Sequence, residues 1–211
     1  MKYICIMNYT IDVFIEISKG SHIKYEYDKV IGTLICDRVL HTPFKYDFNY
    51  GYIPNTLSLD GDPLDVVLIM DDELIPGCYI KCKFIGVLET KDESGEDPKI
   101  IMCPINKINP LYNDINDITD IHIITLERIK YFFQHYKDLE NKIVEIGSFN
   151  NKSEAVKIYE ESIIRLNYFS KKIDNTNKIT NYFLPITKKT IKNPKNLTIL
   201  ISEVEVSYSP K

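Results

Sequence analysis

Three carboxylates fall within six residues at Asp60-Gly61-Asp62-Pro63-Leu64-Asp65. Positions two apart on an extended chain point the same way, so Asp60 and Asp62 share a face. Pro63 keeps Asp62 extended, and Gly61 permits the tight bend that would bring Asp65 round to join them. Acids this close raise one another's pKa unless a cation sits between them. Hard oxygen donors on a rigid turn suit Mg²⁺ or Mn²⁺. A calcium loop of the EF-hand type fits poorly, because the glycine it requires at its sixth position would be Asp65. Asp-Gly and Asp-Pro are also ordinary turn dipeptides, so the rest of the chain has to decide.

Further along, Asp92 and Asp97 stand at the two ends of a connector, residues 92–97, between two apolar runs. Pairing of those runs as a hairpin would bring the two acids together. Lys24, Arg38, Lys99 and Lys137, with Tyr46, Tyr50 and Tyr136, are scattered singly. Each taken alone reads as a surface cation or a packing aromatic. As a set, several aspartates with lysines, an arginine and tyrosines form the inventory for phosphoryl transfer to water.

The elements that must position these residues are mostly strands. Residues 11–17, 23–27, 33–36, 66–70, 79–88 and 100–103 alternate or run apolar with β-formers, whereas residues 46–54 are aromatic with no helical period. Helices come late. Leu126, Ile129, Phe133 and Tyr136 keep 3-4-3 spacing. Ser153 is placed to cap a second helix with Val156, Tyr159, Ile163 and Leu166 on its apolar face. Residues 143–146 would be a strand between the helices, and 197–206 one more at the end. The expected class is α+β, mainly β: a twisted closed β-barrel with two main helices packed outside and a C-terminal extension.

The chain has 211 residues and a net charge of −4, divided unevenly. Residues 1–170 carry −9 and residues 171–211 carry +5, so no basic stripe supports nucleic-acid binding. Five cysteines, Cys5, Cys36, Cys78, Cys82 and Cys103, show no zinc spacing and read as free thiols in a reducing, cytoplasmic setting. The apolar run 1–7 is short for a signal peptide, and no stretch approaches the ~20 apolar residues of a membrane span.

With these segments in hand, the chain resembles the soluble family I inorganic pyrophosphatases. The resemblance is carried colinearly by residues 13–17, 23–26, 37–38, 49–53, 58–66, 86–88, 92–99 and 135–140, with Asp-Gly-Asp-Pro-Leu-Asp-Val as the most specific part. It implies an OB-type barrel and Mg²⁺-dependent hydrolysis of pyrophosphate to two phosphates. Mn²⁺ or Zn²⁺ would substitute and Ca²⁺ would inhibit. By the same resemblance, Asp60, Asp65, Asp92 and Asp97 bind metal, while Glu16 and Glu26 orient water beside it. Asp62 is the general base. Lys24, Arg38, Tyr46, Tyr50, Lys99, Tyr136 and Lys137 hold the phosphates, with Glu16 and Tyr50 also counted in the catalytic group. Residues 1–172 would form the pyrophosphatase domain and residues 173–211 an extension of unknown role.

Three departures bear on assembly. The lead-in before Glu16 is short, Tyr131 stands where bacterial members often have an interface histidine, and the tail has no counterpart in compact members. A homo-oligomer is expected, either the bacterial hexamer or a smaller assembly. Two other readings compete: an OB-type module that stacks nucleic-acid bases on its aromatics, and a catalytically dead relative kept for assembly.

Overall fold

A computed structural model describes residues 9–93 and 95–177, the side chains of 171–177 excepted. Cys5 and the strand expected at 197–206 lie outside the described residues. The elements in order are β1 (Thr10–Ile17), β2 (Ile23–Asp28), β3 (Thr33–Val39), β4 (Asn49–Ile53), β5 (Leu64–Leu68), β6 (Tyr79–Asp92), β7 (Gly95–Glu96), β8 (Lys99–Pro104), α1 (Ile123–His135), β9 (Glu145–Asn151) and α2 (Lys152–Asn177). Three short 3-10 turns, at Pro110–Tyr112, Ile118–Asp120 and Asp138–Glu140, lie among the later elements.

Five strands close on themselves in the order β1-β4-β5-β8-β6, and β6 pairs back to β1. All the pairings are antiparallel except β5 with β8, which aligns Val66 with Ile100. This is the barrel expected from the strand series, closed and of the OB type as the resemblance implies. Closure leaves no free edge among the five, and the long strand β6 has length to spare for β7 and β9 as well. The interior is filled by Val13, Ile15, Val66, Leu68, Phe84, Val87, Ile100 and their neighbours, all fully buried. β2 and β3 form a separate hairpin laid over β1, where Phe14 meets Tyr27 edge to face at 5.2 Å. That cover explains why β1 is buried on both faces from Val13 onward rather than alternating.

Gly51 is fixed by a close approach. A Cβ there would lie 1.8 Å from the Phe14 carbonyl oxygen, so β1 and β4 can pair at this distance only with glycine. α1 buries Leu126, Ile129, Phe132 and Phe133 in an aromatic layer against Tyr46, Phe48 and Tyr50, and Tyr136 caps it. α2 packs on β6 and β9 through fully buried Ala155 and Ser162, with Val156, Tyr159, Ile163 and Leu166 half-buried beside them.

Several local expectations are corrected. Ser153 is not the cap of α2: the Asn151 side chain accepts from the Glu154 N–H at 3.1 Å, and Ser153 lies inside the first turn. The strand expected at 143–146 is β9, shifted to Glu145–Asn151, with Ile143 exposed ahead of it. The apolar run at 66–70 belongs to a strand that begins two residues earlier, at Leu64. α2 itself runs on to Asn177.

Candidate active site

The earlier start of β5 changes where the acids come from. Asp60 and Asp62 sit in the turn, but Asp65 is the second residue of β5, facing Tyr52 across the β4 pairing. The strand register, and not the bend at Gly61, presents it. The turn itself is held by its own backbone. Ser58 N–H donates to the Asp62 carbonyl at 2.7 Å, Gly61 N–H to the Ser58 carbonyl at 3.3 Å, and Asp62 N–H to Asp60 Oδ1 at 3.0 Å. Gly61 has φ +95°, the left-handed conformation that glycine adopts freely.

One cavity of about 320 Å³ gathers most of the predicted site residues. Its acids are Glu16 from β1, Glu26 from β2, Asp60 and Asp62 from the turn, Asp65 from β5, Asp92 from the end of β6, and Asp97 just before β8. Its cations are Lys24, Lys29, Lys99 and Lys137, and Tyr27, Tyr50, Tyr52 and Tyr136 line it as well. A larger hollow of about 470 Å³ beside α1, between Phe44, Arg128 and Tyr131, collects no comparable set of acids.

Inside the cavity the lysines are paired with the acids. Lys99 Nζ lies 2.7 Å from Asp65 Oδ2 and 2.5 Å from Asp97 Oδ2. Lys24 Nζ lies 2.7 Å from Glu26 Oε1 and 3.5 Å from Asp37 Oδ2. Lys137 Nζ lies 3.1 Å from Asp92 Oδ2. Burial opposes the charge of each of these lysines, yet the facing acids outweigh it, and all three hold their protons above the ordinary lysine range. The carboxylates show the opposite strain. Burial raises Asp60 to about 6, with the charges of Asp65 and Asp62 adding to it against the Asp62 N–H. Burial drives Asp97 upward too, against the pull of Lys99. Burial, then Asp65, keeps the Tyr50 phenol protonated and hydrogen-bonded to that carboxylate.

A hard divalent cation fits this donor set, which is all oxygen, with no histidine or cysteine lining the cavity. Among the described residues no three acidic, histidine or cysteine side chains already form a cation cage. The Lys99 ammonium bridges two of the candidates. Its two contacts limit how far apart those Asp65 and Asp97 oxygens stand. Two ligands of one Mg²⁺ lie at most about 4.2 Å apart, so bringing these two oxygens onto a shared ion takes a shift of at most about an ångström.

Two predicted residues do not line the cavity. Tyr46 is 2% exposed within the aromatic layer, 4.7 Å from the Phe132 ring. Arg38, opposite Lys24 on the β2–β3 hairpin, turns to Glu140, with Nη1 2.8 Å from Oε2. Glu140, Tyr27, Tyr52 and Lys29 are residues that the sequence reading did not place at the site. Tyr52 carried a signal, since strand alternation places it on the same face as Tyr50. Glu140 and Lys29 carried none beyond their charge.

The family model for inorganic pyrophosphatase matches residues 13–167. The chain belongs to the inorganic pyrophosphatase family. Inorganic pyrophosphatase from Helicobacter pylori is 49% identical over 152 residues, covering 72% of this chain and 88% of the relative. That from Nanoarchaeum equitans is 49% identical over 150 residues, covering 71% and 92%. Among solved structures, the Helicobacter pylori pyrophosphatase superposes with a TM-score of 0.73 at 46% identity, covering 75% of this chain and 94% of the other. The Thermus thermophilus pyrophosphatase gives 0.73 at 31% identity, covering 79% and 97%. Residues 13–167 run from β1 into α2, so the pyrophosphatase match includes every element that lines the cavity.

Proposed function

We propose that this chain hydrolyses inorganic pyrophosphate to two phosphates with Mg²⁺, and that Asp62 is the general base. The observation that carries the reading is the single cavity in which acids from the turn, β1, β2, β5, β6 and the approach to β8 face the lysines and tyrosines. A resting site in which Lys24, Lys99 and Lys137 lie against some of the acids can accept a cation and a polyanion together. The carboxylates turn to one and the ammonium groups to the other, so neither charge is buried alone.

Asp60, Asp65 and Asp97 would hold the tightest ion, with Asp92 and Asp97 serving a further one. Bound Mg²⁺ supplies neutralisation of the phosphate oxygens and a lowered pKa for water. Glu16 and Glu26 orient water at the cavity wall. One Glu16 oxygen accepts from the Tyr27 N–H at 2.6 Å, which fixes the carboxylate for that task. Lys24, Lys99 and Lys137, with the Tyr50 and Tyr136 hydroxyls, take the phosphate oxygens, and Arg38 reaches them once it leaves Glu140. Asp62 accepts the proton of the attacking water as its oxygen bonds to phosphorus and the bridging P–O bond breaks. The backbone bonds at Ser58 and Asp60 hold Asp62 in place for that transfer. Ca²⁺ inhibits in this reading, because its larger, flexible shell misplaces the water.

The cytoplasm suits the free thiols of Cys36, Cys78, Cys82 and Cys103. Among the described residues no helix is long and apolar enough to cross a membrane. A homo-oligomer fits the exposed Ile123, Ile124 and Tyr131 on α1. Residues 173–211 form an extension outside the catalytic unit.

Phosphate release from pyrophosphate with Mg²⁺, and again after EDTA, tests the assignment. Release that needs Mg²⁺ supports it. Salt-sensitive oligonucleotide binding without release would favour the nucleic-acid module instead.

A further inference from the structure

The barrel-facing stripe of α2 changes character before the helix ends. Ala155 and Ser162 on this stripe are fully buried, and Ile158 is half-buried between them. The next position at the same spacing is Arg165. An apolar residue would prolong the stripe, whereas a half-buried guanidinium has to find an acceptor. Arg165 Nη1 donates to the Leu57 carbonyl at 2.5 Å, across 108 residues of sequence.

Leu57 opens the turn that carries Asp60 and Asp62. From Ser58 onward the turn carries hydrogen bonds of its own, the Ser58–Asp62, Gly61–Ser58 and Asp62–Asp60 contacts. Its neck is closed by Thr56, whose hydroxyl donates to the Ile53 carbonyl at 2.6 Å and accepts from the Leu64 N–H at 2.9 Å. These bonds give the turn a shape but do not tie it to the outer layer. The Arg165 bond does so at the residue where the self-bonded unit begins. A charge-assisted bond to a backbone carbonyl is also indifferent to the side chain at residue 57.

We propose that Arg165 is a positioning residue: it anchors the Asp60–Asp62 turn to α2 and so sets how far those two carboxylates reach into the cavity. Divalent-cation affinity then depends on a helix side chain that touches neither cation nor substrate. The inference rests on the reading that Asp60 binds a divalent cation and that Asp62 acts as the base beside it.

The test compares full-length wild type with R165M, which keeps an aliphatic stem without the donor, and R165K, which keeps a donor. Mg²⁺ affinity is measured by calorimetry without substrate, and amide hydrogen exchange is followed at Ser58, Gly61 and Asp62. R165M is expected to bind Mg²⁺ about 10- to 100-fold more weakly, the usual effect of losing a group behind a metal ligand. Its three turn amides exchange faster while those of β6 stay protected, and at saturating Mg²⁺ its KM for pyrophosphate stays within about twofold. R165K recovers both turn protection and affinity.

Wild-type Mg²⁺ affinity in R165M overturns the inference, as does faster exchange spread evenly through the barrel. If R165M does not fold, R165K decides: a protected turn with weak Mg²⁺ binding overturns the inference, and protection with wild-type affinity supports it. Failure of the wild type itself to bind Mg²⁺ sinks the functional reading and this one together. A binding wild type with an unchanged R165M sinks this one alone.

Discussion

Arg38 and Glu140 form an ion pair in which Nη1 stands 2.8 Å from Oε2, while Arg38 Nε and Glu140 Oε1 are buried with no hydrogen-bond partner among the described residues. The Glu140 side chain is only 7% exposed, so removing the arginine strands a buried carboxylate. Arg38→Ala should therefore lose about 3 kcal/mol of stability, the low end for breaking a buried pair because Arg38 is partly exposed. Adding Glu140→Gln to that variant should restore most of it. Urea unfolding of the single and double variants checks this, and equal instability in both would show that the pair does not set the cost.

Asp62→Asn keeps the size of the side chain and removes its basicity. Turnover should fall roughly 10²- to 10⁴-fold, the range for losing an acid–base group. Mg²⁺ affinity should change little, since Asp62 is not assigned as a ligand. Near-normal turnover in this variant takes the proton-acceptor role away from Asp62.

Gly51→Ala tests the pairing that carries Tyr50 and Tyr52. The added methyl meets the Phe14 carbonyl oxygen, which is backbone and has little freedom to move. A loss of at least about 3 kcal/mol is expected, at the upper end for overpacking, with a lower Tm read by calorimetry. An unchanged Tm would mean that β1 and β4 separate more easily than their register implies.

Removal of residues 178–211 leaves α2 and Arg165 in place. The truncated chain should keep its kcat and KM within about twofold, as expected for an appendage outside the active site. A folded but inactive truncation would assign the extension a role in the chemistry.

The sequence displayed local periodicity well and long-range geometry poorly. The 3-4-3 spacing of Leu126, Ile129, Phe133 and Tyr136 reports burial within one element, and α1 stands where that spacing puts it. The alternation in residues 23–27 marks β2 but not its burial, which is partial at every residue. The OB-type barrel followed from the order of strands and helices together with the resemblance. Which strands pair was not visible, because closure of β1 on β6 joins residues some 70 positions apart. Asp65 shows the consequence. Its closeness to Asp60 in sequence suggested one shared turn, whereas its aim is set by the β4 and β8 registers. The cap of α2 was misplaced by two residues because Asn151 and Ser153 are both good caps, and the strand pairing of β9 chooses between them. Glu140 and Arg165 act through partners 102 and 108 residues away, and nothing local marks either one.

The central claim is that Asp60, Asp65 and Asp97 close on one divalent ion when the Lys99 ammonium turns from them to phosphate. Anomalous scattering from crystals soaked in Mn²⁺ with a phosphate product tests it most directly. The account predicts a peak with an oxygen of each of the three aspartates about 2.2 Å away, consistent with hard-ion coordination. In the same crystals Lys99 should have shifted toward the anion. A peak elsewhere, or Lys99 still seated between Asp65 and Asp97 in fully soaked crystals, would contradict it.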